Sequence, residues 1–183
     1  TETQLATRLY NGCKAIVADR EFAVAGKKPK LFFDRKSLND GEKWEEGFIN
    51  GILNSLVLLP LVSWGEGNTG SVGQLMNLTN HDHVDNVLLE WDLGLVLADC
   101  LPPSFMRSIF PILIGKMDQR GFLPFPFGKL SSLPDTPSLE TKKRMIQICV
   151  EHGIPVSEEA ILRSPKAVVS RIVENQGGKL EDL

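Results

Sequence analysis

Glu90 is the residue whose surroundings most suggest chemistry. It stands in DNVLLEWDLGLVL, which read as a helix from Asn86 to about Ala98 is apolar nearly all round. A carboxyl one turn into such a helix loses water, and the burial raises its pKa toward the range where an acid can serve catalysis. The structural reading puts the same glutamate on the helix's one solvated edge, beside Asn86 and Asp92. The residues alone leave both readings open. A second polar cluster, from Asp34 through Ser37 and Asn39 to Gly41, follows directly on the apolar triplet Leu31-Phe32-Phe33. Segments at the carboxyl ends of strands are where α/β sheets collect their ligand contacts.

Other motifs carry less. Gly65-Glu66-Gly67-Asn68-Thr69-Gly70 spells G-x-G-x-x-G, with Glu90 about twenty residues on. A dinucleotide fingerprint needs a helix next and its acid at the end of a second strand. Ser71-Val72-Gly73 starts a helix poorly and Glu90 lies inside one, so a surface loop is the reading. No G-K-[ST] follows to make a phosphate loop. His81-Asp82-His83 with Asp85 offers metal ligands only on an extended backbone, and no nearby histidine or cysteine completes a shell. The absence of G-x-S-x-G removes the nucleophile elbow of a serine hydrolase.

The bulk composition narrows the classes. With 183 residues the chain has room for one domain with a real core. It is 42% hydrophobic and 23% charged, with a net charge of -3. That balance gives no electrostatic case for nucleic acid or an acidic membrane. Cys13, Cys100 and Cys149 are odd in number and widely spaced, which fits a reducing compartment better than a disulfide framework or a zinc site. No apolar run reaches the length of a membrane span and no signal peptide opens the sequence. A cytoplasmic domain is expected.

The elements that would position these residues follow from periodicity. Helices are expected over Thr1 to about Ala18, Glu42 to Leu53, Asn86 to about Ala98 with Asp85 as N-cap, and Leu139 to about His152 with Ser138 as cap and Gly153 as stop. A short helix over Ser157 to Leu162 and a last one opened by Ser164-Pro165 complete the set. Leu31–Phe33, Leu56–Val62 and Ile109–Ile114 read as parallel strands, the latter two covered on both faces. Pro60 and Pro111 within them are expected near ends or bulges. Phe122 to Phe127 reads as an irregular loop. Strand, polar loop, helix and buried strand make a βαβ unit, and hence an α/β layer structure.

In that order and spacing, FFDRKSLNDGEKWEEGFINGILNSLVLLPLVS resembles the core of a Toll/interleukin receptor (TIR) domain, with Asp34, Leu38 and Gly41 where that family keeps D, L and G. DNVLLEWDLGLVL resembles the family helix that carries a glutamate, and RSIFPILIG its fourth strand. The resemblance covers about residues 1–116, loosely to 153. It implies a flavodoxin-like TIR fold over 1–153, whose usual first strand is expected to be absent from this chain, with a C-terminal helical extension over 154–183. It further implies an NAD+ hydrolase that cleaves the bond between nicotinamide and ribose, with Glu90 catalytic and Asp34, Ser37, Asn39, Gly41 and Asn86 as substrate-binding residues. NAD+ is then a substrate, and no metal or cofactor is expected. The partners implied are NAD+ and further copies of the domain, in immune, stress or cell-death signalling, without nucleic acid or membrane. The alternative is a scaffold without turnover that works by homotypic assembly. The sequence departs from the family's enzymes at Asn86, where tryptophan is usual, and at Asn39, where some carry an acid.

Overall fold

The computed structural model describes residues 2–18, 30–33, 44–62, 78, 84–100, 108–113, 115–118, 121–124, 127–157 and 163–174. They fall in two compact units, 1–51 and 52–183. The first holds helix α1 (Glu2–Ala18) and most of helix α2 (Trp44–Leu53). Leu31–Phe33, expected as a strand, is not strand in the structure. A strand exists only through the hydrogen bonds of a neighbour, and these side chains are used differently. The Phe33 ring lies 5.4 Å from that of Tyr10 on α1. The Phe32 ring occupies the space above Gly51 on α2, where a Cβ would meet it at 2.7 Å.

The second unit is built around helix α3 (Asn86–Asp99), and its start is written locally. Asp85 is extended and its Oδ1 accepts the Leu88 N–H at 2.9 Å, satisfying one of the donors that a helix N-terminus leaves open. From Leu88 to Leu97 every residue except Glu90 is buried. A helix enclosed this completely gains about 1.5–3 kcal/mol for each large apolar side chain taken from water, and it requires neighbours on more than one side.

Those neighbours come from both directions along the chain. Before it run β1 (Val57–Leu58) and β2 (Leu61–Val62); after it run β3 (Ser108–Ile109) and β4 (Ile112–Leu113). The pairing is parallel, Val57 with Ser108 and Leu61 with Ile112 in one register. The N–H groups of Ser108, Phe110 and Ile112 donate to the carbonyls of Leu56, Leu58 and Pro60, so one ribbon runs through both pairs. Pro60 and Pro111, expected near strand ends or bulges, lie opposite each other between the short strands of each pair. Pro60 cannot return a donor to its partner, which splits the ladder in two. The amide of Pro111 alternates to the side away from the first strand, so its missing N–H costs this pairing nothing.

Alternation also corrects the expectation that these strands are covered on both faces. Pro60, Val62, Ile109 and Pro111 are buried on the face toward α3, whereas Val57, Leu59 and Phe110 are about half exposed on the other. Gly94 is what lets α3 settle on this ribbon, since a Cβ there would lie 2.5 Å from Leu58 Cδ2.

The rest of the unit closes over α3. β5 (Gly115–Asp118) and β6 (Gly121–Pro124) form an antiparallel hairpin, with Asp118 opposite Gly121. Residues 122–124 are therefore strand, where an irregular loop was expected over Phe122 to Phe127. A 3-10 turn (Phe127–Ser132) leads to helix α4 (Leu139–Glu151). Ser138 Oγ accepts the Thr141 N–H at 3.1 Å, and Gly153, at φ 63°, reverses the chain after α4. Helix α5 (Pro165–Glu174) has proline at its first position and Ser164 Oγ accepting the Ala167 N–H. Leu89, Leu93, Met145, Ile148, Val168, Val169 and Ile172 are sealed from solvent in the core that α3, α4 and α5 share. The expected helix over 157–162 lies outside the described residues apart from Ser157.

Gly94→Val should test the close approach. Its branched side chain overpacks the contact with Leu58, and the variant should lose about 2–3 kcal/mol in urea unfolding. Leu58→Ala in the same chain should recover part of that loss, a positive coupling that independent sites would not show.

Candidate functional site

Of the residues expected to form a site, the structure describes two, Asn86 and Glu90. Asp34, Ser37, Asn39 and Gly41 lie outside the described residues, as do Gly65–Gly70 and His81–His83. Asn86 is the first residue of α3 and Glu90 the fifth. Four residues apart on a helix, they lie one above the other on a single edge. Both are partly exposed, and between Leu88 and Leu97 Glu90 is the one residue of α3 that is not buried. Trp91, next to Glu90, is a core residue.

The strongly desolvated acid of this helix is Asp92. It was expected on the solvated edge beside Glu90, but two residues turn a helix by about 200°, which puts the two carboxyls on opposite sides. Asp92 is only 4% exposed. A carboxylate so placed needs a cation, and Arg163, just ahead of α5, supplies one. Its Nη1 donates to Asp92 Oδ1 at 2.9 Å, while its Nη2 donates to Asp99 Oδ2 at the end of α3. Arg171 on α5 then binds Asp99 with both ends of its fork, each at 2.8 Å.

Four charges thus tie α3 to the segment 163–174, and they are not equally served. Asp99 receives three N–H groups at the solvent edge, and Arg171 holds its pKa below the usual value. Asp92 receives one such donor in the interior. Loss of water raises its pKa to about 6, with Arg163 opposing the rise.

Two thiols flank this network. Cys100, the C-cap of α3, donates to the Pro155 carbonyl at 3.0 Å. Cys149 is buried on α4, and desolvation, with Asp92 and Cys100 adding to it, pushes its thiol up to about 11. Burial also raises Cys100. Neither has the lowered pKa of a nucleophilic cysteine. Among the described residues no group of three or more His, Cys, Asp or Glu could hold a metal ion, and no helix is long and apolar enough to cross a membrane.

Asn86 and Glu90 lie on the helix expected for them, whereas the partnership of Asp92 was not expected. The signal was present: an acid between Trp91 and Leu93 on an all-apolar helix must be neutralised, and the arginines of the C-terminal segment were the candidates. Searches against family models, curated proteins and solved structures returned no match to this chain.

Removing Arg163 should expose how far Asp92 depends on it. Arg163→Met leaves a buried, unpaired carboxylate, a change that costs about 3–5 kcal/mol when the charge is retained. The loss measured by urea unfolding should be largest near pH 8 and clearly smaller near pH 5, where Asp92 can take up a proton. An equal loss at both pH values would show that Asp92 is not the group being stranded.

Proposed function

We propose that this chain is a flavodoxin-like TIR domain that hydrolyses NAD+ at the nicotinamide–ribose bond, with Glu90 as its catalytic carboxylate. One observation supports this most. Asn86 and Glu90 share a partly exposed edge near the start of a helix that is buried through most of its length, and that helix lies between two parallel strands in the chain.

The topology adds a direction. A helix that returns the chain from Val62 to Ser108 begins at the carboxyl ends of those strands, the edge where α/β sheets take ligands. Glu90, in the second turn, is on that side. In a 2-1-3-4-5 sheet the third and fourth strands are neighbours, which agrees with the pairing of Leu56–Val62 and Ser108–Leu113.

The chemistry asked of Glu90 is modest. Cleavage of an N-glycosidic bond passes through an oxocarbenium-like state, and a carboxylate close to the ribose stabilises the positive charge as it develops. No general acid is needed for nicotinamide to leave, because the pyridinium carries the positive charge and departs as a neutral ring. Asp34, Ser37, Asn39, Gly41 and Asn86 are proposed as the groups that hold the dinucleotide. Water attacks the ribose to give ADP-ribose.

A scaffold acting by homotypic assembly is the second reading. Asn86 in place of the family's usual tryptophan favours it. So do the bare apolar side chains of α4, Leu139, Ile146 and Val150, which are 65%, 44% and 76% exposed.

NAD+ consumption by the full-length protein at high concentration, with product analysis, decides between the two. Glu90→Gln and Glu90→Ala should keep the circular dichroism of the wild type and lose at least about a hundredfold in turnover. Turnover like that of the wild type in either folded variant removes Glu90 from the mechanism. A wild type that consumes no NAD+ but self-associates in light scattering supports the scaffold.

A further inference from the structure

We propose that the enclosure of Asp92 makes the packing of the segment 163–174 on α3 proton-linked: the closed core takes up a proton at Asp92, which removes a buried charge, and is more stable in mild acid than at neutral pH. The inference does not rest on the proposed enzymatic activity.

The geometry supplies the asymmetry. Arg163 is nearly as buried as Asp92 and divides its fork between two acids, so Asp92 receives a single N–H. Arg171, which might have shared the load, spends both ends of its fork on Asp99. The other groups that face the cluster do not relieve it. From α3 come Asp99 and Cys100, from α4 the neutral thiol of Cys149, and from α5 Arg171 with Glu174 beyond it. Among the described residues Arg163 gives Asp92 one N–H and Arg171 none, so the interior carboxylate carries much of the cost of desolvation.

Linkage gives the direction. Burial raises the Asp92 pKa from 3.8 to about 6 against the pull of Arg163, so between those values the closed form holds the proton more tightly than a form in which Asp92 meets water. Stability from this group therefore increases as the pH falls through about 6 and is absent above it. Asp99 acts in the opposite sense: its lowered pKa contributes stability above its unfolded value, which is lost in stronger acid. Proton uptake at Asp92 leaves the Asp99–Arg171 fork intact, so mild acid relieves the desolvation cost at Asp92 without breaking that contact.

The test is a carbon-13 NMR titration of the Asp92 carboxyl in the full chain, with urea unfolding of wild type and Asp92→Asn at pH 5 and 7.5. A midpoint near 6 is expected, and Arg163→Gln should move it higher by removing the cation that opposes desolvation. Relative to Asp92→Asn, the folding constant of the wild type should be about tenfold greater at pH 5 than at pH 7.5. A midpoint at or below about 4, or a pH dependence that survives Asp92→Asn, overturns the proposal. Should Asp92→Asn fail to fold, the wild-type midpoint alone decides.

Discussion

A helix without a wettable face has to be enclosed before it can be stable, and α3 imposes that constraint on unit 52–183. Its apolar residues run from Leu88 to Leu97 with little interruption, so one covering surface is not enough. The parallel ribbon takes the side marked by Gly94, where the absent Cβ admits Leu58. Helices α4 and α5 take others, through Met145, Ile148, Val168, Val169 and Ile172. Asp92 is then trapped inside by its position on the helix, and Arg163 is the response. The ion pair is a consequence of enclosing α3, and a buried pair of this kind fixes which surfaces meet more than it adds net stability.

What was legible in the sequence was local. Asp85 and Ser138 announced their helices because a capping side chain acts within three residues, and Pro165 announced α5 because its ring sets φ at the first helical position. What was not legible was long-range. Asp92 and Arg163 are 71 residues apart, and no periodicity joins them. Leu31–Phe33 has the composition of a strand, but pairing depends on a partner and its aromatic rings went to helices instead. The hairpin Gly115–Pro124 was hidden by the lack of alternation and by the prolines that follow in Phe122–Phe127. Of the candidate site, the shared edge of Asn86 and Glu90 followed from helical spacing. The opposite placement of Asp92 followed from the same spacing but was not drawn from it.

The two acids of α3 illustrate how one helix separates roles. Glu90 keeps partial access to solvent, while Asp92 gives up access to anchor the opposite side. The anchor comes from 163–174, a segment expected to be an extension. In the structure it packs on α3, and Lys166 ties it further to Asp135 at 2.8 Å. A helix held on its back by charge and packing presents its front edge in a fixed orientation, whatever that edge serves.

Native-state hydrogen exchange across a series of low denaturant concentrations tests most directly whether α3 and the segment 163–174 form one cooperative core. The amides of Leu93 and Leu97 on α3 and of Val169 and Ile172 on α5 should converge on a single opening free energy, equal to that of global unfolding. Exchange of the α5 amides through a separate opening of much lower free energy, with α3 still protected, would contradict the account.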